Sequence, residues 1–204
     1  MRFLMTASLL SAWQYNFIKY FDISDEQAMA QFLMSLRREP IPKNKAMQNG
    51  LDFEKMACDM ADDIDCSLYP NYRTWETGAA PIANIIRGGV WQYIASKEVT
   101  IGDIPFLLYG RLDVLKDDLI YDIKFGNKYK PGKYKTYPQH SMYLELIPYA
   151  RQFEYLISDG KHVWTEAYHR SETKPIADYI VPFMDWLAKN NLQKTCFQYW
   201  QAKD

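Results

Sequence analysis

The chain has 204 residues, of which 48% are hydrophobic, and its 24 basic and 25 acidic side chains leave a formal net charge of −1. This length and apolar content are typical of one domain with one sizeable core, so we expect residues 1–204 to form a single unit. The balanced charge excludes a global basic field, and any binding of nucleic acid must therefore be local.

Three cysteines, Cys58, Cys66 and Cys196, form no Cys-x-x-Cys pair. This argues against a disulfide framework and against a four-thiolate zinc or iron–sulfur site. No apolar run is long enough to cross a membrane, and no small-residue cleavage site follows the faintly signal-like start MRFLMTASLLSAWQY. We therefore expect a cytoplasmic protein with reduced thiols and no membrane partner. The start of the chain is expected to lead into a first helix that is capped near Thr6 or Ser8.

The first half of the chain has helical periodicity. Its first apolar series is Leu9, Leu10, Trp13, Phe17 and Tyr20, and DEQAMAQFLMSLRRE repeats the pattern until two prolines in EPIPK, residues 39–43, interrupt it. A third helix is predicted from about Ala46. A fourth is predicted over residues 79–95, despite Gly88 and Gly89.

From Glu98 the period changes to that of strands. EVTIGDIPFLLYGRLDVLKDDLIYDIKFG predicts a three-stranded antiparallel meander with turns at Gly102–Asp103 and around residues 116–118. A Lys-rich connection, 126–136, a helix over 138–150 and a hairpin turning at Asp159–Gly160 follow. The end, from Lys174 to about Ala202, is predicted to be helical, with a kink at Pro182 and an inward face of Ile176, Tyr179, Ile180, Phe183, Met184 and Leu187. This order indicates an α/β or α+β fold.

The meander carries Asp113, Asp122 and Lys124 among apolar residues. Alternation places Asp122 and Lys124 on one face, about 6 to 7 Å apart. A two-residue turn at Asp117–Asp118 would set Asp113 directly opposite Asp122, and a turn at Lys116–Asp117 would set it diagonally on the same face. Only a three-residue loop without a bulge would separate the two acids. Opposed carboxylates favour a bound cation, and oxygen ligands favour Mg²⁺ or Mn²⁺. The alternative is an ordinary Asp–Lys surface pair.

Two helical segments offer further polar side chains. NGLDFEKMACD, residues 49–59, places Glu54 four residues after Gly50 among apolar neighbours, where a solvated helix acid is the alternative. YPQHSMYLELIPYA places Gln139 and Tyr143 four residues apart, on one face of a helix. Core packing explains the tyrosine but not the glutamine beside it.

A segment rich in lysine and tyrosine, KFGNKYKPGKYKTY, follows the acidic strands. Beside a metal site its composition suits phosphate binding and base stacking, although a solvated loop is the usual meaning of such a run. Its candidate nucleic-acid-binding residues are Lys128, Tyr129, Lys130, Lys133, Tyr134 and Lys135.

Four motifs in order resemble the PD-(D/E)XK nuclease superfamily, in particular its RecB-like branch with the phage exonucleases and CRISPR-associated adaptation nucleases. They are Gly-x-x-x-Glu at 50–54, Gly-Arg-Leu-Asp at 110–113, Asp-Ile-Lys at 122–124 and Gln-x-x-x-Tyr at 139–143. The resemblance implies a restriction-endonuclease-like core, with a mixed central sheet flanked by helices. Residues 1–96 would form a helical part, 97–170 the catalytic sheet and helix, and 171–204 a C-terminal helical part.

The resemblance also implies catalytic roles for Glu54, Asp113, Asp122, Lys124, Gln139 and Tyr143. The three acids would hold one or two ions of Mg²⁺ or Mn²⁺, with the carbonyl of Ile123 as an added ligand. The lysine would orient the attacking water and stabilise developing negative charge. The glutamine and the tyrosine would brace the site or touch the DNA backbone.

The sequence departs from the superfamily pattern at several points. It lacks the cysteines that bind an iron–sulfur cluster in some relatives, so none is expected. It has no GxxxxGK[ST] loop, so a homo-oligomer or a recombination or annealing partner would have to supply processivity. Leu112 precedes Asp113 in place of proline. Gly50 to Glu54 is the loosest match, and Glu76 is the alternative first acid.

These observations predict a small metal-dependent DNA nuclease. They favour an exonuclease over an endonuclease, with a role in recombination or in the processing of DNA ends in a phage or mobile element. The helices of residues 1–96 could roof the sheet and form a channel, with the lysines of 128–135 at its mouth and Tyr129 and Tyr134 stacking on bases. The alternatives are a non-cleaving nucleic-acid-binding module on the same fold, and a site-specific or structure-specific endonuclease. A sequence-specific endonuclease ordinarily needs a separate module that reads bases, and nothing in the sequence resembles one.

Overall fold

The structure is a computed structural model that describes residues 2–17 and 24–202. The strands described are β1 (Phe3–Thr6), β2 (Val90–Ile101), β3 (Ile104–Lys116), β4 (Leu119–Phe125), β5 (Gln152–Ser158) and β6 (Val163–His169). The helices are α1 (Ala7–Phe17), α2 (Asp25–Leu36), α3 (Lys45–Ala61), α4 (Tyr72–Ile86), α5 (Pro138–Leu146), α6 (Ala177–Lys189) and α7 (Gln193–Tyr199), with a 3-10 turn at Arg170–Glu172.

All six strands belong to one mixed sheet, in which β3 has two partners in succession along one edge. That edge pairs first with β1, in parallel over Phe106–Tyr109, and then with β4, antiparallel over Val114–Lys116. The other edge of β3 pairs with β2, and the sheet continues from β4 to β5 in parallel and to β6 antiparallel. Residues 110–113 therefore cross a gap between two partners.

Helices cover both faces of the sheet. Helices α1, α2, α5 and α6 pack over one face, around Phe106, Leu108 and Ile120. Helices α3 and α4 pack over the other, around Val114 and Tyr121. The expectation of a mixed sheet flanked by helices is confirmed in this form. Within the described ranges, no helix combines the length and the hydropathy that a membrane span requires.

Several helix predictions are confirmed by their caps. Oγ1 of Thr6 accepts a hydrogen bond from the N–H of Leu9 at 3.2 Å, which places the first cap at Thr6. Ser24 and Gln27 form a reciprocal capping box at the start of α2, and Asn44 caps α3. The predicted inward face of α6 is buried at all six positions.

The helix predicted over 79–95 is wrong at both ends. Helix α4 begins at Tyr72 and ends at Ile86, and β2 begins at Val90. Gly88 has a φ of +79°, which ends the helix, and a Cβ on Gly89 would lie 2.6 Å from Cγ1 of Val114. The two glycines therefore turn the chain tightly into the sheet.

Three smaller corrections concern element ends. Residues Phe3–Thr6 form the strand β1, which pairs with β3, within the part of the chain that was expected to be mainly helical. The predicted C-terminal helix is divided at Asn191, whose φ is +57°, into α6 and α7, and Pro182 lies within α6. Helix α5 ends at Leu146, before Ile147–Pro148, as expected for the residue that precedes a proline. Tyr20 lies outside the described residues.

Candidate active site

The two aspartates of the meander lie where β3 and β4 stop pairing. The strands pair Lys116 with Leu119 and Val114 with Tyr121, so the turn is the two-residue turn at 117–118. The next step of this register sets Asp113 opposite Asp122, but the ladder ends before it. Instead, Oδ2 of Asp113 accepts a hydrogen bond from the backbone N–H of Ile123 at 2.9 Å. A side chain thus replaces a backbone ladder partner.

Asp122 is almost completely buried, with 1% of its surface exposed. Its Oδ1 accepts a hydrogen bond from the side-chain amide of Gln139 on α5. Its Oδ2 lies 2.6 Å from Nζ of Lys124, an ion pair, but takes no hydrogen bond of good geometry. The predicted same-face placement of Asp122 and Lys124 therefore brings them into direct contact.

The charges of the site strongly perturb one another. Burial raises the pKa of Asp113 well above its ordinary value, and repulsion from Asp122 and Glu54 raises it further. Burial alone would lower the pKa of Lys124, but attraction to Asp122 and Asp113 outweighs it and raises that pKa. Lys124 therefore stays charged, whereas Asp113 bears the cost of crowded negative charge.

Glu54 approaches from the opposite side of the sheet, on α3. Its Oε1 accepts a hydrogen bond of 2.6 Å from the side-chain amide of Gln92 on β2. Burial raises its pKa, and repulsion from Asp122 adds to the shift, so Glu54 shares the field of the aspartates. Within residues 2–17 and 24–202, however, no three His, Cys, Asp or Glu side chains form a metal-binding group, so Glu54 is not gathered with the pair.

The alternative first acid, Glu76, lies elsewhere. It is exposed on α4 and accepts a hydrogen bond of 2.6 Å from the hydroxyl of Tyr72. The acids that repel Asp113 are Asp122 and Glu54. Of the two candidates, Glu54 is thus the one with an electrostatic link to the pair.

Helix α5 is positioned against the site by a close approach to β3. A Cβ on Gly110 would lie 2.8 Å from the ring of Tyr143, so only glycine admits this contact. The Tyr143 hydroxyl donates a hydrogen bond of 3.1 Å to the carbonyl of Arg111. Burial, with the nearby charge of Asp122, raises the pKa of Tyr143 to about 12, so the phenol keeps its proton. Gln139 and Tyr143 therefore brace the strands that carry the acids.

A cavity of about 730 Å³ opens beside Lys124. Helices α1 and α2 supply one wall, which includes Ser8, Ser11 and Met34, and the opposite wall includes Lys124, Gln139 and Tyr143. Of the described residues that line it, Lys124 alone carries a formal charge. Helices α1 and α2 therefore face Lys124 across this cavity, and Glu54, Asp113 and Asp122 are not among its lining residues.

The lysine–tyrosine segment differs from its predicted arrangement. Its four lysines are exposed, but none of them lines the 730 Å³ cavity. Tyr134 is only 6% exposed, and its ring stacks on Tyr155 with centroids 4.3 Å apart. The prediction that Tyr134 stacks on bases is therefore wrong, because the ring is part of the core. Tyr129 is half-buried and remains accessible in part.

Two polar residues that hold parts of the site, Glu166 and Gln92, were not identified from the sequence. Glu166 on β6 accepts hydrogen bonds from the Tyr129 hydroxyl at 2.9 Å and from the N–H groups of Gly132 and Tyr134 at 3.2 Å. Gln92 binds Glu54 from β2. Glu166 could have been suspected as an acid within an otherwise alternating strand. Gln92 lay inside the segment wrongly predicted to be helical.

Asp113 and Asp122 are the carboxylates that could hold a hard divalent cation, as a pair and not as a group of three acids among the described residues. Oδ2 of Asp122 is buried and has the ion pair with Lys124 but no hydrogen bond of good geometry, and burial together with the crowded negative charge raises the pKa of Asp113. A cation would relieve both costs, and Mg²⁺ commonly binds one or two protein carboxylates while keeping several waters. Asp113 and Asp122 would hold such an ion, Glu54 shares their electrostatic field, and the carbonyl of Ile123 stays a predicted ligand.

No protein-family profile and no curated protein matches the sequence. Among solved structures, the chain is similar to the crystal structure of SSO0001, with 11% identity and a TM-score of 0.43, over 84% of this chain and 89% of that one. It is also similar to LHK-Exo in complex with dAMP, with 14% identity and a TM-score of 0.43, over 93% of this chain and 92% of that one. Because the identities are this low, these similarities carry no information on the chemistry of the site, which follows from its own side chains.

Proposed function

We propose that the protein is a divalent-metal-dependent DNA nuclease that hydrolyses phosphodiester bonds. The observation that carries this proposal is the convergence of Asp113, Asp122 and Lys124 at the point where β3 and β4 separate. Two crowded carboxylates beside a charged lysine are costly for folding and suited to metal-assisted phosphoryl chemistry.

Each side chain has a distinct task in this proposal. A bound divalent ion would lower the pKa of water and screen the phosphate. Lys124, held by Asp122 and open to the cavity, orients the attacking water and meets the negative charge that develops on the phosphoryl oxygens. Gln139 fixes the orientation of the Asp122 carboxylate through Oδ1.

We further propose that the activity is exonucleolytic and serves the processing of DNA ends. The cavity beside Lys124 is confined on one side by α1 and α2, and its lining is otherwise uncharged. A roof of this kind favours a strand end over a continuous duplex, which carries phosphate charge along both strands.

The decisive experiment incubates the purified chain with linear and covalently closed circular DNA in Mg²⁺, Mn²⁺ or EDTA. We expect degradation of linear DNA that requires the metal, protection of closed circles, and loss of activity in Asp122→Asn, which keeps the acceptor for Gln139. Nicking of circles at the same rate would contradict the exonuclease, and inactivity on every form would contradict the nuclease.

A non-cleaving nucleic-acid-binding module is the second candidate. It is favoured by the direct ion pair between Lys124 and Asp122 and by Glu54, which stands outside a three-acid cluster among the described residues. This candidate predicts DNA binding without cleavage, and an Asp122→Asn variant whose DNA affinity equals that of the wild type.

A further inference from the structure

The backbone of β2 is distorted at Gln92, directly beside the acidic pair. Gln92 has a φ of +52°, in the left-handed region that side chains with a Cβ rarely adopt. The ladder between β2 and β3 is continuous on both sides but omits the pair of Gln92 with Asp113. The distortion of β2 thus lies next to the position where Asp113 leaves its own ladder.

This distortion places two consecutive side chains on one helix. Trp91 donates a hydrogen bond of 2.7 Å to Asp62, at the end of α3, and Gln92 donates one of 2.6 Å to Glu54, within α3. In a regular strand, consecutive side chains point to opposite faces, so only one of them would reach α3. The left-handed residue lets both reach it.

The contact with Gln92 secures one oxygen of Glu54 and leaves the other open. Gln92 binds Oε1, and no group in the described part of the chain donates a hydrogen bond to Oε2. Groups that hold an acid through one oxygen and leave the second for a metal are typical supports of metal ligands. Strained backbone of this kind is often found at functional sites.

We propose that Gln92 is a positioning residue, which holds Glu54 so that its free oxygen faces the Asp113–Asp122 pair and its metal. The proposal rests on the proposed nuclease function. Gln92 acts through Glu54 and touches neither the metal nor the DNA. Glycine at position 92 would relieve the strain of the left-handed backbone, but it has no side chain that could reach Glu54. The role of the side chain therefore accounts for a strained glutamine at this position.

The test compares Gln92→Gly with Asn191→Gly, a matched control. Asn191 also has a positive φ, of +57°, but lies between α6 and α7, far along the chain from the acids. Both glycines relieve backbone strain, so we expect the melting temperature of the metal-free protein to stay equal or rise in each. Only Gln92→Gly should lose Mn²⁺ affinity, by about 10-fold or more in isothermal titration, with a fall in kcat and little change in KM for DNA.

Glu54→Ala completes a double-mutant cycle. If Gln92 acts through Glu54, Gln92→Gly has no further effect on Mn²⁺ affinity or kcat in the Glu54→Ala background. Equal losses in both backgrounds, or wild-type Mn²⁺ affinity in Gln92→Gly, would overturn the positioning role while leaving the nuclease intact. A wild-type protein that neither binds Mn²⁺ nor cleaves DNA would overturn the proposed function, and the positioning role with it.

Discussion

Asp113 accepts a hydrogen bond from the backbone N–H of Ile123, 2.9 Å away, at the step where β3 and β4 cease to pair. The contact uses one oxygen of a carboxylate that also faces the repulsion of Asp122 and Glu54. The hydrogen bond needs only an acceptor oxygen, whereas the repulsion needs the charge. The two effects can therefore be separated by substitution.

Asp113→Asn keeps the acceptor and removes the charge. We expect the free energy of unfolding of the metal-free protein to rise by about 1 kcal/mol, because repulsion among the acids is relieved. Mn²⁺ binding should fall below detection, and cleavage should fall by at least about 100-fold. Urea denaturation and isothermal titration measure these quantities, with Asp103→Asn in the exposed turn between β2 and β3 as control. Unchanged Mn²⁺ affinity would rule out Asp113 as a ligand.

The raised pKa of Asp113 also predicts a pH dependence of stability. Between the ordinary carboxyl pKa of about 4 and the raised one, the folded protein holds a proton that the unfolded chain has released. The contribution of Asp113 therefore makes the free energy of unfolding fall as the pH rises through this window, and Glu54 acts in the same direction.

The measurement is denaturation in EDTA at several pH values from 4 to 8, for the wild type and for Asp113→Asn. The difference between them removes the contributions of other groups. We expect the advantage of the variant to grow with pH and then to level off above the folded pKa. A difference that is constant from pH 4 to 8 would show that Asp113 is not perturbed.

Lys124 separates catalysis from binding. Its side chain is 31% exposed, and Nζ lies between Asp122 and the cavity. If it stabilises the transition state, Lys124→Ala should lower kcat by about 100-fold or more while DNA affinity in Ca²⁺ changes little. Lys189→Ala, at the end of α6, is the control. A weaker affinity with a smaller salt dependence would instead identify Lys124 as a phosphate contact.

The sequence was sufficient for much of the site because short-range rules apply there. A two-residue turn fixes the register of β3 and β4, and alternation then places Asp122 and Lys124 on one face. The predicted cap of α1 at Thr6 is likewise local. These features depend on residues close together in the chain.

The features that could not be predicted depend on distant partners. Strand β1 exists because four residues near the start pair with Phe106–Tyr109, about a hundred positions later. The left-handed backbone of Gln92 depends on α3, and the burial of Tyr134 depends on its stacking with Tyr155. Periodicity carries no information on such contacts, and the apolar residues at 82–91 fit a helix until Gly88 and Gly89 end it.

Glu166 holds the lysine–tyrosine segment, residues 128–135, against β6. Its carboxylate accepts hydrogen bonds from the Tyr129 hydroxyl and from the N–H groups of Gly132 and Tyr134. Glu166→Ala leaves these donors without their acceptor, so residues 128–135 should lose order and become sensitive to trypsin at their lysines.

The same substitution has two opposed effects on DNA binding. The loss of a negative charge would strengthen binding, whereas the loss of order in the segment would weaken it. If the ordered lysines grip the backbone, DNA affinity in Ca²⁺ should fall several-fold, with Glu166→Gln intermediate and Glu172→Ala, on the exposed 3-10 turn, unchanged. Tighter binding in Glu166→Ala, measured by fluorescence anisotropy, would show that the segment contributes charge alone.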